Sequence, residues 1–127
     1  MKALLDTSFF VATESGRPLG SMDGVTETEV PVITVAELTV GVLMAEDADR
    51  PARLSTLSAV ESTWDPLPVD GEVARQIARI VTALRTGGRR VPILDALVAA
   101  TAIVEQIPVV TQDDDYDAVP GVQVIRV

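Results

Sequence analysis

Apolar residues along the chain fall into two kinds of run, short unbroken clusters and longer stretches with a helical period, and the two alternate. Ala3-Leu4-Leu5 is a cluster of the first kind and stops at Asp6-Thr7-Ser8, three residue types that favour helix starts. A strand over 2–5 followed by a helix from about Thr7 to Glu14 is therefore expected, ended by Ser15-Gly16-Arg17-Pro18. Residues 20–29 are polar and acidic and read as a loop or a short helix. Val30-Pro31-Val32-Ile33 reads as a second strand, with its proline near the start, and Thr34-Val35-Ala36-Glu37 as opening a helix toward Met44. A further helix fits Asp49 to Glu61, with Pro51 in its first turn. Residues 63–69 form a short extended piece broken by two prolines. After Asp70-Gly71, the residues Val73, Ile77, Ile80, Val81 and Leu84 follow the spacing of an amphipathic helix, which Gly87-Gly88 ends. Pro92 suits the first turn of a helix through Glu105, so rich in Ala and Val that it is expected to be buried on most sides. Ile107 to Val110 gives a third clear strand and Val122 to Val127 a terminal one.

Strands that alternate with helices predict an α/β fold: a mostly parallel central sheet flanked by helices on both faces. The 127 residues make one domain, residues 1–127, and 47% hydrophobic content is enough for a proper core. With so few aromatics that core has to be aliphatic. No apolar run approaches the roughly 20 residues of a membrane helix, and the N-terminus turns acidic too early for a signal peptide, so a cytoplasmic protein with no membrane partner is expected.

The absence of two residue types narrows the chemistry further. There is no cysteine, hence no disulfide framework and no thiolate site, and no histidine, which removes the usual general base, the Ser-His-Asp triad and most zinc sites. Any metal would have to be hard and held by oxygen, as magnesium and manganese are. The one lysine, Lys2, precedes the first strand, which excludes a P-loop.

The acids have a pattern of their own. Asp6 ends the first strand, Glu37 falls in the first helical turn expected after the second, Asp95 in the first turn of the buried helix, and Asp113 just after the third strand. In a parallel sheet the strand-linked three lie at its carboxyl edge, where ligands of such sheets bind, and Asp95 joins them if its helix start faces that edge. Each acid also has a local explanation: Asp6 as an N-cap, Thr34-x-x-Glu37 as a capping box, Asp95 as a partner of its helix dipole, Asp113 as the cap of a last short turn. Two features favour a shared cation. Asp95 lies in the apolar segment PILDALVAATAIV, where desolvation penalises its charge, and no histidine or lysine is available to pair with it. Residues 113–117 carry Asp113, Asp114, Asp115 and Asp117, more carboxylates than one cap needs. On this reading Asp113, and after it Asp115, is a ligand, and Asp114 and Asp117 are solvated. Carboxylate-held magnesium suits phosphoryl chemistry and needs no histidine base.

Charge is also segregated. The net charge of −9 argues against a polyanionic partner, yet between Glu72 and Asp95 there is no acid and there are five arginines, Arg75, Arg79, Arg85, Arg89 and Arg90. A basic face there would hold a phosphate backbone that the acidic site alone repels, with Arg75, Arg79, Arg89 and Arg90 as the candidate contacts. A metal-dependent nuclease combines the two halves.

The residues also carry a resemblance. LLDTS at the start, ITVAELTVGV at 33–42, ILDALVAATAI at 93–103 and VVTQDDDYDAVPGVQVI at 109–125 resemble, in order and across the whole chain, the motifs of PIN-domain ribonucleases, and more narrowly the VapC toxins of bacterial toxin–antitoxin pairs. The resemblance implies a PIN-like three-layer sandwich, magnesium- or manganese-dependent endoribonuclease activity, neutralisation by a VapB-type antitoxin, and a homodimer that forms a heterotetramer or larger assembly with it. Carried across, the acidic site is Asp6, Glu37, Asp95 and Asp113, with metal held by Asp6, Asp95 and Asp113 or Asp115, and Ser8 and Thr111 as polar supports. Two other acidic-pocket α/β folds fit less well. A phosphoryl-accepting receiver domain uses a lysine at a later strand end, which is missing here, and a haloacid-dehalogenase-type phosphatase wants Asp-x-Asp where this chain has Asp6-Thr7-Ser8. A non-catalytic α/β binding module, its acids merely capping helices, is the remaining alternative.

Overall fold

The computed structural model describes residues 1–127. The elements run β1 (Lys2–Leu5), α1 (Thr7–Ser15), β2 (Glu27–Glu29), α2 (Val32–Met44), α3 (Arg50–Thr63), α4 (Gly71–Thr86), α5 (Ile93–Glu105), β3 (Val109–Thr111), a single 3₁₀ turn (Asp115–Ala118) and β4 (Val124–Arg126). The four strands form one sheet in the order β2-β1-β3-β4, and every pairing is parallel. The expected α/β sandwich is therefore present.

Side chains on a strand alternate between faces, and β1 shows how this builds two cores. Leu4 packs with Val73, Ile80 and Leu84 of α4, with Ala96, Ala99 and Ala100 of α5, and with Val109 of β3. Its neighbours Ala3 and Leu5 face the other way, onto Phe10 of α1, Leu38 of α2, and Leu57 and Val60 of α3. Short strands buried on both faces have no room for polar alternation, which is why β1 reads as an unbroken apolar cluster. The small side chains of α5 let that helix lie close against the sheet, and Ala96, Val98, Ala99, Ala100 and Ala102 are all buried.

The second strand is not where the apolar pattern put it. The strand paired with β1 is Glu27-Thr28-Glu29, inside the segment expected to be a loop or short helix. It is a polar edge strand, and Lys2 reaches Glu27 at 3.7 Å and Glu29 at 3.4 Å across the pairing. Charge on an edge is normal, because it blocks further strand addition, but it hides the strand from a hydrophobicity reading. Val30 and Pro31 are extended, as expected, yet they bridge to Leu67 in the proline-broken segment, through Leu67 N–H to Val30 O and Val32 N–H to Leu67 O, both 2.9 Å. The helix then begins at Val32, with Pro31 as its N-cap (φ −76°, ψ 152°), so Val32 and Ile33 belong to α2. Smaller shifts occur elsewhere: β3 starts at Val109 rather than Ile107, and Pro92 is the N-cap of α5 rather than part of its first turn. No helix is long and apolar enough to cross a membrane.

Leu4 is fully buried at the centre of the larger core. Leu4→Ala should lower the unfolding free energy by about 2–5 kcal/mol, seen as a lower urea midpoint at unchanged slope. A loss under about 1 kcal/mol would contradict the packing described.

Candidate active site

In the strand order β2-β1-β3-β4 the chain leaves β1 toward one edge and later returns to lay β3 on the opposite side of β1. The crevice at the carboxyl ends of β1 and β3 is the switch point at which such sheets bind ligands. Asp6 follows β1 directly, and Thr111, the last residue of β3, leads to Asp113.

Asp6 is only 4% exposed, and its carboxylate is held on both oxygens. Oδ2 accepts from Ser8 Oγ and Thr111 Oγ1, each at 2.9 Å, and more weakly from Ser8 N–H at 3.4 Å; Oδ1 accepts from the Tyr116 hydroxyl at 2.9 Å. The supports are themselves fixed. Gln112 N–H donates to Ser8 Oγ and Asp113 N–H to Thr111 Oγ1, both at 2.9 Å. Asp6 is thus an N-cap of α1, as its local explanation held, but capping uses only the weakest of its four bonds. Ser8 and Thr111 stand where the sequence placed them. Tyr116 was missed: its ring is fully buried in the core, and burial first, then the nearby charge of Asp6, pushes its hydroxyl far above the usual phenol range, so it remains a donor. The TQDDDYD string offered a faint signal, since a buried phenol needs a polar partner.

Glu37 arrives from the second turn of α2, not the first, because the helix starts at Val32. The Thr34-x-x-Glu37 capping box is therefore absent. The Thr34 hydroxyl instead donates to Leu5 O at 3.3 Å, tying α2 to β1, and Glu37 Oε1 accepts from Thr7 Oγ1 at 2.7 Å. Burial raises the pKa of Glu37, the Thr7 hydrogen bond opposes this, and the charges of Asp6 and Asp113 add to the rise.

Asp95 stands in the first turn of α5, and its helix start does face the carboxyl edge. Oxygens of Asp95, Asp113 and Asp115 lie within 4.8 Å of one another. Burial, a hydrogen bond with Asp115, and then the charges of Asp113, Asp6 and Asp115 push Asp95 up from 3.8 to about 7. Asp113 also caps locally, its Oδ1 accepting from Asp115 N–H at 2.9 Å. No cation pairs with Asp6, Glu37, Asp95, Asp113 or Asp115. Asp114 and Asp117, expected to be merely solvated, are exposed but share Arg126 of β4, at 3.0 and 2.6 Å, and the same guanidinium donates to Asp113 O. The structure thus gathers five acids around one crevice and turns the remaining two outward.

The five-arginine segment divides in two. Arg75 and Arg79 lie on the exposed face of α4, Arg75 folding back over Gly71 and Arg79 bonding Gln76 at 3.2 Å. Arg85, Arg89 and Arg90 gather at the other end, around the α4–α5 junction.

A parallel sheet with this acidic crevice defines a class, and comparison with known proteins agrees: the PIN domain family model matches residues 3–122. The chain is 47% identical to ribonuclease VapC5 of Mycobacterium tuberculosis, over 98% of this chain and 94% of that protein. It is 38% identical to ribonuclease VapC4 of the same organism, over 99% and 97%. It superposes on the crystal structure of VapBC-5 from M. tuberculosis, a member of the VapBC family of toxin–antitoxin systems, with TM-score 0.84 and 41% identity, covering 99% of this chain and 98% of that one. The chain belongs to the PIN-domain family, in its VapC ribonuclease branch.

Two predictions concern the site without metal. Asp95 binds its proton more tightly folded than unfolded. Its contribution to stability is therefore complete below pH 3.8 and is lost as the pH rises to about 7. Thermal melts in chelator between about pH 4 and 8 should show this decline, and Asp95→Asn should flatten it; an unchanged decline in the variant would count against the assignment. Tyr116→Phe keeps the ring and strands Asp6 Oδ1 in a buried place, so it should cost about 1–3 kcal/mol in urea unfolding; no loss would mean that the bond to Asp6 is unimportant.

Proposed function

We propose that this chain is a divalent-metal-dependent endoribonuclease toxin that hydrolyses RNA phosphodiester bonds in the cytoplasm and is neutralised by a VapB-type antitoxin. The observation that carries the chemistry is the convergence of five carboxylates with no cation among them. Such a cluster is costly unless positive charge is supplied, and an all-oxygen donor set suits a hard divalent ion. The residues fit magnesium or manganese. Asp95, Asp113 and Asp115 offer the closest set of oxygens, and Asp6 stands beside them with its orientation locked. When bound, the metal activates water and offsets charge on the attacked phosphate.

The chain's own groups supply the rest. The Ser8, Thr111 and Tyr116 hydroxyls hold Asp6 in one orientation, so no reorganisation is needed when a phosphate arrives. In this reading Glu37, its Oε1 held by Thr7 and its pKa raised by burial, accepts the proton of the attacking water. The water oxygen bonds to phosphorus, the bond to the leaving ribose oxygen breaks, and that oxygen takes up a proton from solvent. Arg75, Arg79, Arg89 and Arg90 supply positive charge for the RNA backbone. Likeness to VapBC-5 supports a VapB-type antitoxin as the protein partner; the homodimer and the heterotetramer or larger assembly are part of the same proposal.

The binding-module alternative loses ground, because the capping box it requires at Thr34 and Glu37 does not exist. Asparagine caps helices about as well as aspartate, so Asp95→Asn and Asp6→Asn separate the two readings. Both variants should fold, and Asp95→Asn should reduce magnesium-dependent RNA cleavage by about 10²-fold or more, with chelator silencing the wild type. Cleavage by Asp95→Asn at the wild-type rate would reject the proposal. Sequencing RNA ends after induced expression of wild type beside Asp6→Asn would identify the substrate.

A further inference from the structure

We infer that the groove at the α4–α5 junction is a nucleotide subsite that takes a base on its floor and the adjoining phosphates on its rim; this rests on the endoribonuclease reading. The groove encloses about 380 Å³ and is lined by Val81, Leu84, Val91 and Ile93 together with Arg85, Arg89 and Arg90. Two chemistries are present at once. An apolar floor of this size accommodates a flat heterocycle, and guanidinium planes both stack on bases and grip phosphate with paired donors.

The arginines are available. Lys2, Arg50, Arg53 and Arg126 are each paired with a carboxylate, whereas Arg85, Arg89 and Arg90 have no ionic partner. No acid lies between Glu72 and Asp95 to compete for them. In a chain of net charge −9, this is where a polyanion can land. Ile93, which lines the groove, stands in the same first turn of α5 as Asp95. Arg85, not among the contacts read from the sequence, belongs to this subsite; Arg75 and Arg79 lie outside it.

The test uses the full chain in chelator, so that RNA binds without being cut, and follows the anisotropy of a labelled single-stranded oligoribonucleotide and of an abasic strand of equal length. The combined variant Arg85→Gln, Arg89→Gln, Arg90→Gln should raise Kd at least tenfold and reduce the salt dependence by about 0.7 for each phosphate no longer engaged. Val81→Ser with Ile93→Ser should weaken the base-bearing strand about threefold or more and leave the abasic strand unchanged. These positions are half-buried or exposed, and melting curves check that each variant folds. An arginine variant within twofold of wild type, or floor changes that weaken both strands equally, overturns the subsite. So does an arginine variant that binds RNA normally and fails only to bind a VapB-type antitoxin. Metal-dependent cleavage by the wild type, run in parallel, separates the two levels: cleavage with a silent groove sinks the subsite alone, and no cleavage sinks the enzyme reading.

Discussion

Like charges gathered at one partly buried crevice, with no ion-pair partner for any of them, set the terms for everything around them. Asp6, Glu37, Asp95, Asp113 and Asp115 come from four separate parts of the chain, and no lysine, arginine or histidine sits among them. Burial first, and their mutual repulsion after it, raises the affinity for protons at Asp95 and Glu37. A fold that keeps such a cluster has to hold it by other means, and here the means are hydroxyls. Thr7, Ser8, Thr111 and Tyr116 each donate to a carboxylate, which stabilises negative charge without neutralising it. A lysine in the same place would have satisfied the acids and filled the position a divalent ion needs.

The parallel sheet explains why these partners meet. Pairing β1 directly with β3 puts Asp6 beside Thr111, although 105 residues separate them in sequence. The β3–β4 pairing sets Arg126 opposite Thr111, and from there its guanidinium reaches the acids that point away from the crevice. One short run of aspartates therefore faces two ways: Asp113 and Asp115 toward Asp95, Asp114 and Asp117 toward Arg126. Exposed ion pairs of this kind are worth little singly, and their effect is to settle which acids look inward.

What was legible in the sequence follows the same physics. The cores of β1, α4 and α5 were readable because burial imposes a pattern, an apolar cluster in one case and a helical period in the others. Asp6, Asp95 and Asp113 were readable because each sits where an apolar run stops or is interrupted. β2 was not, since a three-residue polar edge strand leaves no hydrophobic trace, and its place was given to the more apolar Val30–Ile33. The apparent capping box at Thr34 was a coincidence of spacing; with the helix starting two residues earlier, both side chains were free for longer-range bonds. Tyr116 escaped because its importance lies in a bond across 110 residues, of which the local string gives only a faint trace.

The division of charge between the two ends of α5 carries the last consequence. The acidic crevice repels a polyanion at least as strongly as it attracts a cation, so acids alone would make a metal site with no access for RNA. Screening weakens that repulsion over about 8 Å at physiological salt, which means a basic patch helps only if it lies close to the crevice. In sequence, Arg89 and Arg90 come just before the helix turn that carries Asp95. The two signs thus sit on neighbouring segments of the chain, the arginines before α5 and Asp95 in its first turn, with no arginine ion-paired to the crevice acids. Outside the five-arginine segment, Arg50, Arg53 and Arg126 are each paired with an acid, whereas none of the arginines within it is.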